Sequence, residues 1–164
     1  MWKFWQPGIT YGDGYDTFDF ALFRSAEAYL IAAEAIVKGA TGGVLGGADV
    51  YYNKLIDRAV GVGVDPQCAK NPEDITSFVT ASYRATPATI NIDLILDESA
   101  RELFGEFNRW YDLKRTGKLI ERAKKYNNWT KARGTNMAEY HLLRPIPQSE
   151  IDRSSPQILQ NSGY

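Results

Sequence analysis

The chain has 164 residues, room for one domain with one core and not comfortably for two. Apolar residues at 44% and charged residues at 24% are ordinary for a globular protein, and the net charge of −1 gives no whole-chain argument for nucleic acid or membrane. A lone cysteine, Cys68, excludes an internal disulfide framework, and with a lone histidine, His141, it excludes the common zinc clusters.

Residues 1–18 form an aromatic, Gly-rich opening segment, with Trp2, Phe4, Trp5, Tyr11 and Tyr15 set among Pro7, Gly8, Gly12 and Gly14. Phe4 and Trp5 suit a short strand and the rest suits a loop. Met1 to Pro7 has neither an apolar h-region nor a small-residue cleavage site. The chain is therefore expected to be cytoplasmic, or a piece that has lost its targeting segment. The stretch from Phe20 to Val37 carries Arg24, Glu27 and Glu34, which rules out a transmembrane helix there.

A first helix is expected from Phe20 to Lys38. Leu22, Ala26, Tyr29, Leu30, Ala33, Ile36 and Val37 make its buried stripe, Thr17 or Asp19 its cap, and Gly39 its stop. The glycine loop Gly39–Gly47 lacks the Lys-Ser/Thr ending of a phosphate-binding loop and reads as a connector. A second helix from Ala48 to Val60, with Tyr52, Leu55, Ile56 and Ala59 inward, completes an antiparallel hairpin. Pro66, Pro72 and Pro87 punctuate a mostly irregular stretch in which Pro72 to Ser82 suits a short helix. A third helix is expected from Asn91 to Phe104, its stripe being Ile92, Ile95, Leu96, Ser99 and Leu103. Gly105 breaks it, and a fourth helix from Glu106 to Thr116 offers Phe107, Trp110, Tyr111 and Leu113 for packing. A basic helical stretch follows from Lys118 to Tyr126. Residues 128–164 carry Pro145, Pro147 and Pro156 and read as extended, apart from a turn at Ser149 to Arg153.

Charge is unevenly spread. Residues 109–133 hold nine Lys/Arg against Asp112 and Glu121. Such a stretch either binds an anionic partner, nucleic acid included, or is a solvated face whose charges meet acidic groups of the same molecule. The second reading is favoured, because no nucleic-acid motif accompanies the charge. Glu98 and Glu102 lie four apart, with Glu106 near. Glycoside hydrolysis needs two carboxylates flanking a bond across a cleft, which two stacked on one helix do not supply. Asp97, Glu98, Arg101, Glu102 and Arg109 suit ion pairs along a helix face instead. His141 and the serines at 149, 154 and 155 lack the surroundings of a triad, and Cys68 has no nearby His to activate it. No catalytic residue, metal ligand or cofactor is assigned. Trp2, Trp5, Tyr11 and Tyr15 are the candidate carbohydrate contacts, with Asp13 and Asp16 placed to accept hydroxyl hydrogen bonds. The competing reading is that these rings only cover the first hairpin.

Three segments resemble the C-terminal part of the SusD/RagB family. Phe23 to Ala35 is similar to the family's R-x-A-E-x-Y-L-x-x-A-E-A helix and leads to Tyr52-Asn53-Lys54-Leu55-Ile56-Asp57-Arg58-Ala59. Ile95 to Arg115 resembles the signature E-x-x-R-E-L-x-x-E-x-x-R-W-x-D-L-K-R. Leu143 to Ile151 resembles L-x-P-I-P-x-x-E-I, and Gln160 to Tyr164 resembles Q-N-P-G-Y with Ser162 in place of proline. Their order covers the chain from about residue 20 to its end.

The resemblance implies a mostly α fold: tetratricopeptide-like helix hairpins with long loops over residues 19–127, and an extended C-terminal strap over 128–164. Residues 1–164 would then be the C-terminal portion of a SusD-like domain. It implies non-catalytic binding of polysaccharide or oligosaccharide at the bacterial outer-membrane surface, with ligand handed to a SusC-type TonB-dependent transporter. Membrane contact would run only through a lipid anchor absent from this chain, and no nucleic acid is implied. Family contacts to ligand come largely from upstream segments, so none is carried over to a residue here. The alternative is a tetratricopeptide-like protein-interaction module without its own ligand. The matched residues also serve as scaffold: Ala26, Ala28, Ala32 and Ala33 for close helix crossing, and Leu103 and Trp110 as anchors. Glu102 and Arg109 suit a tie across the Gly105 break, and Pro145-Ile146-Pro147 a rigid strap.

Overall fold

The computed structural model describes residues 22–59, 83–132 and 137–164. Two compact units divide between Ile90 and Asn91. The described residues form seven α-helices and a short 3-10 turn, with no strand among them. The mostly α expectation therefore holds.

In the first unit, α1 (Ser25–Val37) packs against α2 (Ala48–Ala59). Their contact faces bury Ala26, Leu30 and Ala33 on α1 and Tyr52, Leu55 and Ile56 on α2. The two buried alanines leave room for the Tyr52 ring, which is fully enclosed. Helix α1 stops in a Schellman motif: Gly39 N–H donates to Ile36 O and Ala40 N–H to Ala35 O, both at 2.9 Å. Gly39 takes the left-handed conformation this requires, with φ +103°.

Several details differ from expectation. Leu22 is 86% exposed and lies ahead of the helix, because α1 begins only after an extended Arg24. Ala28 faces solvent and Ala59 is exposed, so neither belongs to the seam. The expected caps Thr17 and Asp19, the short helix from Pro72 to Ser82 and Cys68 lie outside the described residues. Segment 83–90 is fastened to α2 by a side-chain amide. Asn53 Oδ1 accepts from Ala85 N–H at 3.0 Å and Nδ2 donates to Ala85 O at 2.8 Å. Arg84 and Asp57 pair beside it at 2.7 Å.

The second unit opens with α3 (Ile92–Glu102), capped by Asn91, whose side chain accepts from Leu94 N–H at 2.9 Å. Ile95, Leu96, Ser99 and Leu103 are buried as their spacing predicts. The chain then turns through Gly105 and Phe107 into α4 (Arg109–Arg115), shorter than the expected Glu106–Thr116. Phe107 has φ +62°, a left-handed conformation that costs a bulky residue about 1–2 kcal/mol and keeps residues 106–108 out of the helix. Phe107 and Tyr111 are exposed. Helix α5 (Leu119–Tyr126) and α6 (Asn128–Ala132) follow. Helix α6 falls where an extended strap is expected; Asn127 Oδ1 starts it by accepting from Trp129 N–H at 2.9 Å.

Leu96, Leu113 and Leu119, one from each of α3, α4 and α5, form the core of this unit. Trp110, Ile92, Met137 and Leu142 close over it. The tail contains a 3-10 turn (Glu139–Leu142) and α7 (Gln148–Arg153), the latter at the expected turn. Between them Leu143–Pro147 runs extended and is clasped by the C-terminus. Gln160 Oε1 accepts from Ile146 N–H at 2.8 Å and its Nε2 donates to Ile146 O at 2.9 Å. Asn161 Nδ2 donates to Arg144 O at 2.6 Å, and the Tyr164 hydroxyl to Leu143 O at 2.8 Å. Gly163 must be glycine here, since a Cβ would lie 2.6 Å from the Tyr140 ring.

Candidate functional site

The charge-rich corner of the second unit is built by α3, α4 and α5. Acidic residues at 93 and 97 sit one turn apart on α3, so both carboxylates meet one arginine of α5. Arg122 Nη1 lies 2.6 Å from Asp97 Oδ1, and Nη2 lies 3.0 Å from Asp93 Oδ1 and donates to Asp93 O at 3.0 Å. Lys118 adds bonds to Glu121 at 3.0 Å and Asp93 at 3.3 Å. The bonds from Arg122 hold the Asp93 carboxyl below its ordinary value; partial burial opposes this, and Lys118 adds to the lowering. Burial works against the Arg122 charge, yet the bonds to Asp97 and Asp93 outweigh it and its pKa is raised.

The signature segment Ile95–Arg115 is joined internally in the same way. Glu98 is buried and accepts two bonds from Arg101, at 2.7 and 2.9 Å. Ser99 Oγ donates to Asp112 Oδ2 at 3.2 Å, and Arg115 pairs with Asp112 at 2.9 Å. Arg109 Nη1 donates to Leu96 O at 2.6 Å, and this bond ties α4 to α3 across the Gly105 break. Asp93, Asp97, Glu98 and Asp112 are thus each held by a cation; of the expected helix-face pairs Glu98–Arg101 forms, whereas Asp97 pairs across to Arg122 and Arg109 bonds the Leu96 carbonyl. Four of the basic residues in 109–133, namely Arg109, Arg115, Lys118 and Arg122, are bonded within the unit. Lys114 and Lys124 remain exposed.

Two surface depressions border Arg109. One, of about 400 Å³, is lined by Ser99, Ala100, Leu103, Phe104 and Phe107. The other is an open groove of about 760 Å³ running past Phe104 and Trp110 to Tyr126, Asn127 and Thr130. Tyr126 is 55% exposed, with Lys125 Nζ 5.0 Å and the Arg122 guanidinium carbon 5.6 Å from its ring centroid. Burial lowers the Arg109 pKa, and the nearby Arg122 charge lowers it further. His141 is a turn residue whose Nδ1 accepts from Ala138 N–H at 3.0 Å, with its ring stacked on Tyr140. Among the described residues no group of three or more His, Cys, Asp or Glu side chains is placed to hold a metal, and no helix is long and apolar enough to cross a membrane. The sequence-derived contacts Trp2, Trp5, Tyr11 and Tyr15 lie outside the described residues.

Comparison with known proteins decides the relationship. The family model described as the SusD family matches residues 1–164. The chain belongs to the SusD family. It is 29% identical to SusD-like protein P25 of Formosa agariphila, over 100% of this chain and 28% of that protein. It is 32% identical to the starch-binding protein SusD of Bacteroides thetaiotaomicron, over 92% of this chain and 22% of that one. The chain thus spans less than a third of the length of these SusD-family relatives.

Within this SusD-family chain, the signature is a packing corner. Trp110 and Leu113 close the core, while the charged positions tie α3 to α4 or pair along α3. The groove escapes sequence reading because its walls come from several elements between Phe104 and Met137. One signal was available: Arg109 precedes an inward-facing tryptophan, which obliges its own side chain to lie beside the seam.

Proposed function

We propose that this chain is the C-terminal helical portion of a non-catalytic glycan-binding protein at the bacterial outer-membrane surface. In this reading the whole protein passes its ligand to a SusC-type TonB-dependent transporter and reaches the membrane through a lipid anchor. The observation that carries it is the family match across residues 1–164, joined to 32% identity with a relative named as a starch-binding protein. The local chemistry supports the non-catalytic part. Asp93, Asp97, Glu98 and Asp112 are each engaged by arginine or lysine, whereas a glycosidase needs one carboxyl kept protonated and a second facing it across the bond.

Trp2, Trp5, Tyr11 and Tyr15 are the proposed ring-stacking contacts of the opening segment. The reading is tested on the full-length protein with an array of oligosaccharides and a pull-down of the transporter. Retention of at least one glycan, loss of that retention in Trp2→Ala/Trp5→Ala at unchanged melting temperature, and capture of the transporter are expected. A stable double variant with unaltered binding removes the contacts from this segment. Absence of binding to any glycan overturns the reading itself.

A further inference from the structure

Arg109 differs from its neighbours on the same corner. Arg101, Arg115 and Arg122 each pair with a carboxylate, at 2.7, 2.9 and 2.6 Å. Arg109 is half-buried, donates one bond to a neutral carbonyl, and pairs with no carboxylate among the described residues. Guanidinium carries five N–H donors in a planar fork suited to a two-oxygen anion. When such a group is partly withdrawn from water, a matching oxyanion is worth far more to it than to an exposed lysine. Burial, and then the Arg122 charge, push the Arg109 pKa down, and the Asp112 and Asp97 charges oppose this from a distance without a direct pair.

The surroundings narrow the class of anion. Along the groove that Arg109 borders, Trp110 and Tyr126 offer aromatic surface, and Thr130 and Asn127, whose Oδ1 is engaged at the start of α6, add polar lining. Aromatic faces suit the CH faces of pyranose rings, and the polar pair suits ring hydroxyls. A volume of about 760 Å³ leaves space for a short oligosaccharide, far more than one carboxylate side chain needs. Lys125, at 5.0 Å from the Tyr126 ring, adds positive charge at the rim. Resting on the glycan-binding reading above, we infer that the groove between Arg109 and Tyr126 is a subsite for an acidic saccharide. Arg109 pairs with a ring-borne carboxylate or sulfate, and Tyr126 stacks against the sugar.

The test is calorimetric titration of the full-length protein with three oligosaccharides of equal length: a neutral maltooligosaccharide, an oligogalacturonate and a sulfated galactan fragment. At least one acidic ligand is expected to bind about tenfold or more tightly than the neutral one, with affinity falling as salt rises. The two acidic arms tell carboxylate from sulfate. Arg109→Gln is expected to abolish the preference and Arg109→Lys to keep part of it. Because Arg109 also holds Leu96, Tyr126→Ala provides a second variant away from that bond, and it is expected to weaken acidic binding about fivefold or more at unchanged melting temperature. Equal affinity for acidic and neutral ligands overturns the subsite and leaves the glycan reading standing. An acidic preference that survives both Arg109→Gln and Tyr126→Ala also overturns it, and absence of any binding overturns both.

Discussion

Arg122 is 5% exposed, whereas the side chains of its partners Asp93 and Asp97 are 51% and 45% exposed. The pair is therefore asymmetric. Removing the arginine leaves two carboxylates that water can reach; removing the carboxylates strands a buried cation. Arg122→Met, which retains the volume, is expected to cost about 1–2 kcal/mol, and Asp93→Ala/Asp97→Ala about 3–5 kcal/mol. Urea denaturation of the three proteins checks the order, and a larger loss in the arginine variant would show that the cation is not the sensitive partner. Trp110 is only half-buried against the leucine core. Trp110→Ala is accordingly expected to cost about 2–4 kcal/mol, toward the lower end of aromatic truncations in cores. A loss below about 1 kcal/mol would place the indole outside the seam.

At the scale of elements, α3 was legible to within a residue or two because three signals agree: an asparagine cap, a regular apolar stripe and a glycine just beyond its end. The start of α4 was misread because Phe107 suits a helix by composition, and only the backbone shows the left-handed turn that delays it. Two side-chain amides, Asn53 on Ala85 and Gln160 on Ile146, each bridge both the N–H and C=O of a distant residue. Such clips have no local period, so nothing in the sequence announces them. Gln160→Leu is expected to accelerate amide hydrogen exchange at Ile146 while leaving α3 protected; unchanged exchange at Ile146 would mean that the clasp holds without it. The α3–α5 latch also has a pH signature. Asp93 titrates below its ordinary 3.8 in the folded chain, so its contribution is fully present above that value and is lost as pH falls through the lower folded pKa. In Asp93→Asn the decline of stability in that acid window should be shallower than in the native protein, and an identical acid slope in both would remove Asp93 as its source.

For the whole molecule, the sequence carries the fold class and the family in motifs that serve packing. The structure explains why such motifs say little about ligand: several of the signature's charges are turned on one another, Glu98 on Arg101 and Asp112 on Arg115, and Arg109 is the exception. The groove beside Arg109 has no sequence signal of its own, because it forms only where α4, α5 and α6 come together. Binding and the absence of turnover are read in one experiment. The full-length protein is incubated with starch-derived and acidic oligosaccharides, bound ligand is measured by equilibrium dialysis, and reducing ends are assayed in the same samples over a day. Saturable retention with no increase in reducing ends is the predicted result. Release of new reducing ends that Glu98→Gln or Glu102→Gln abolishes would contradict the account.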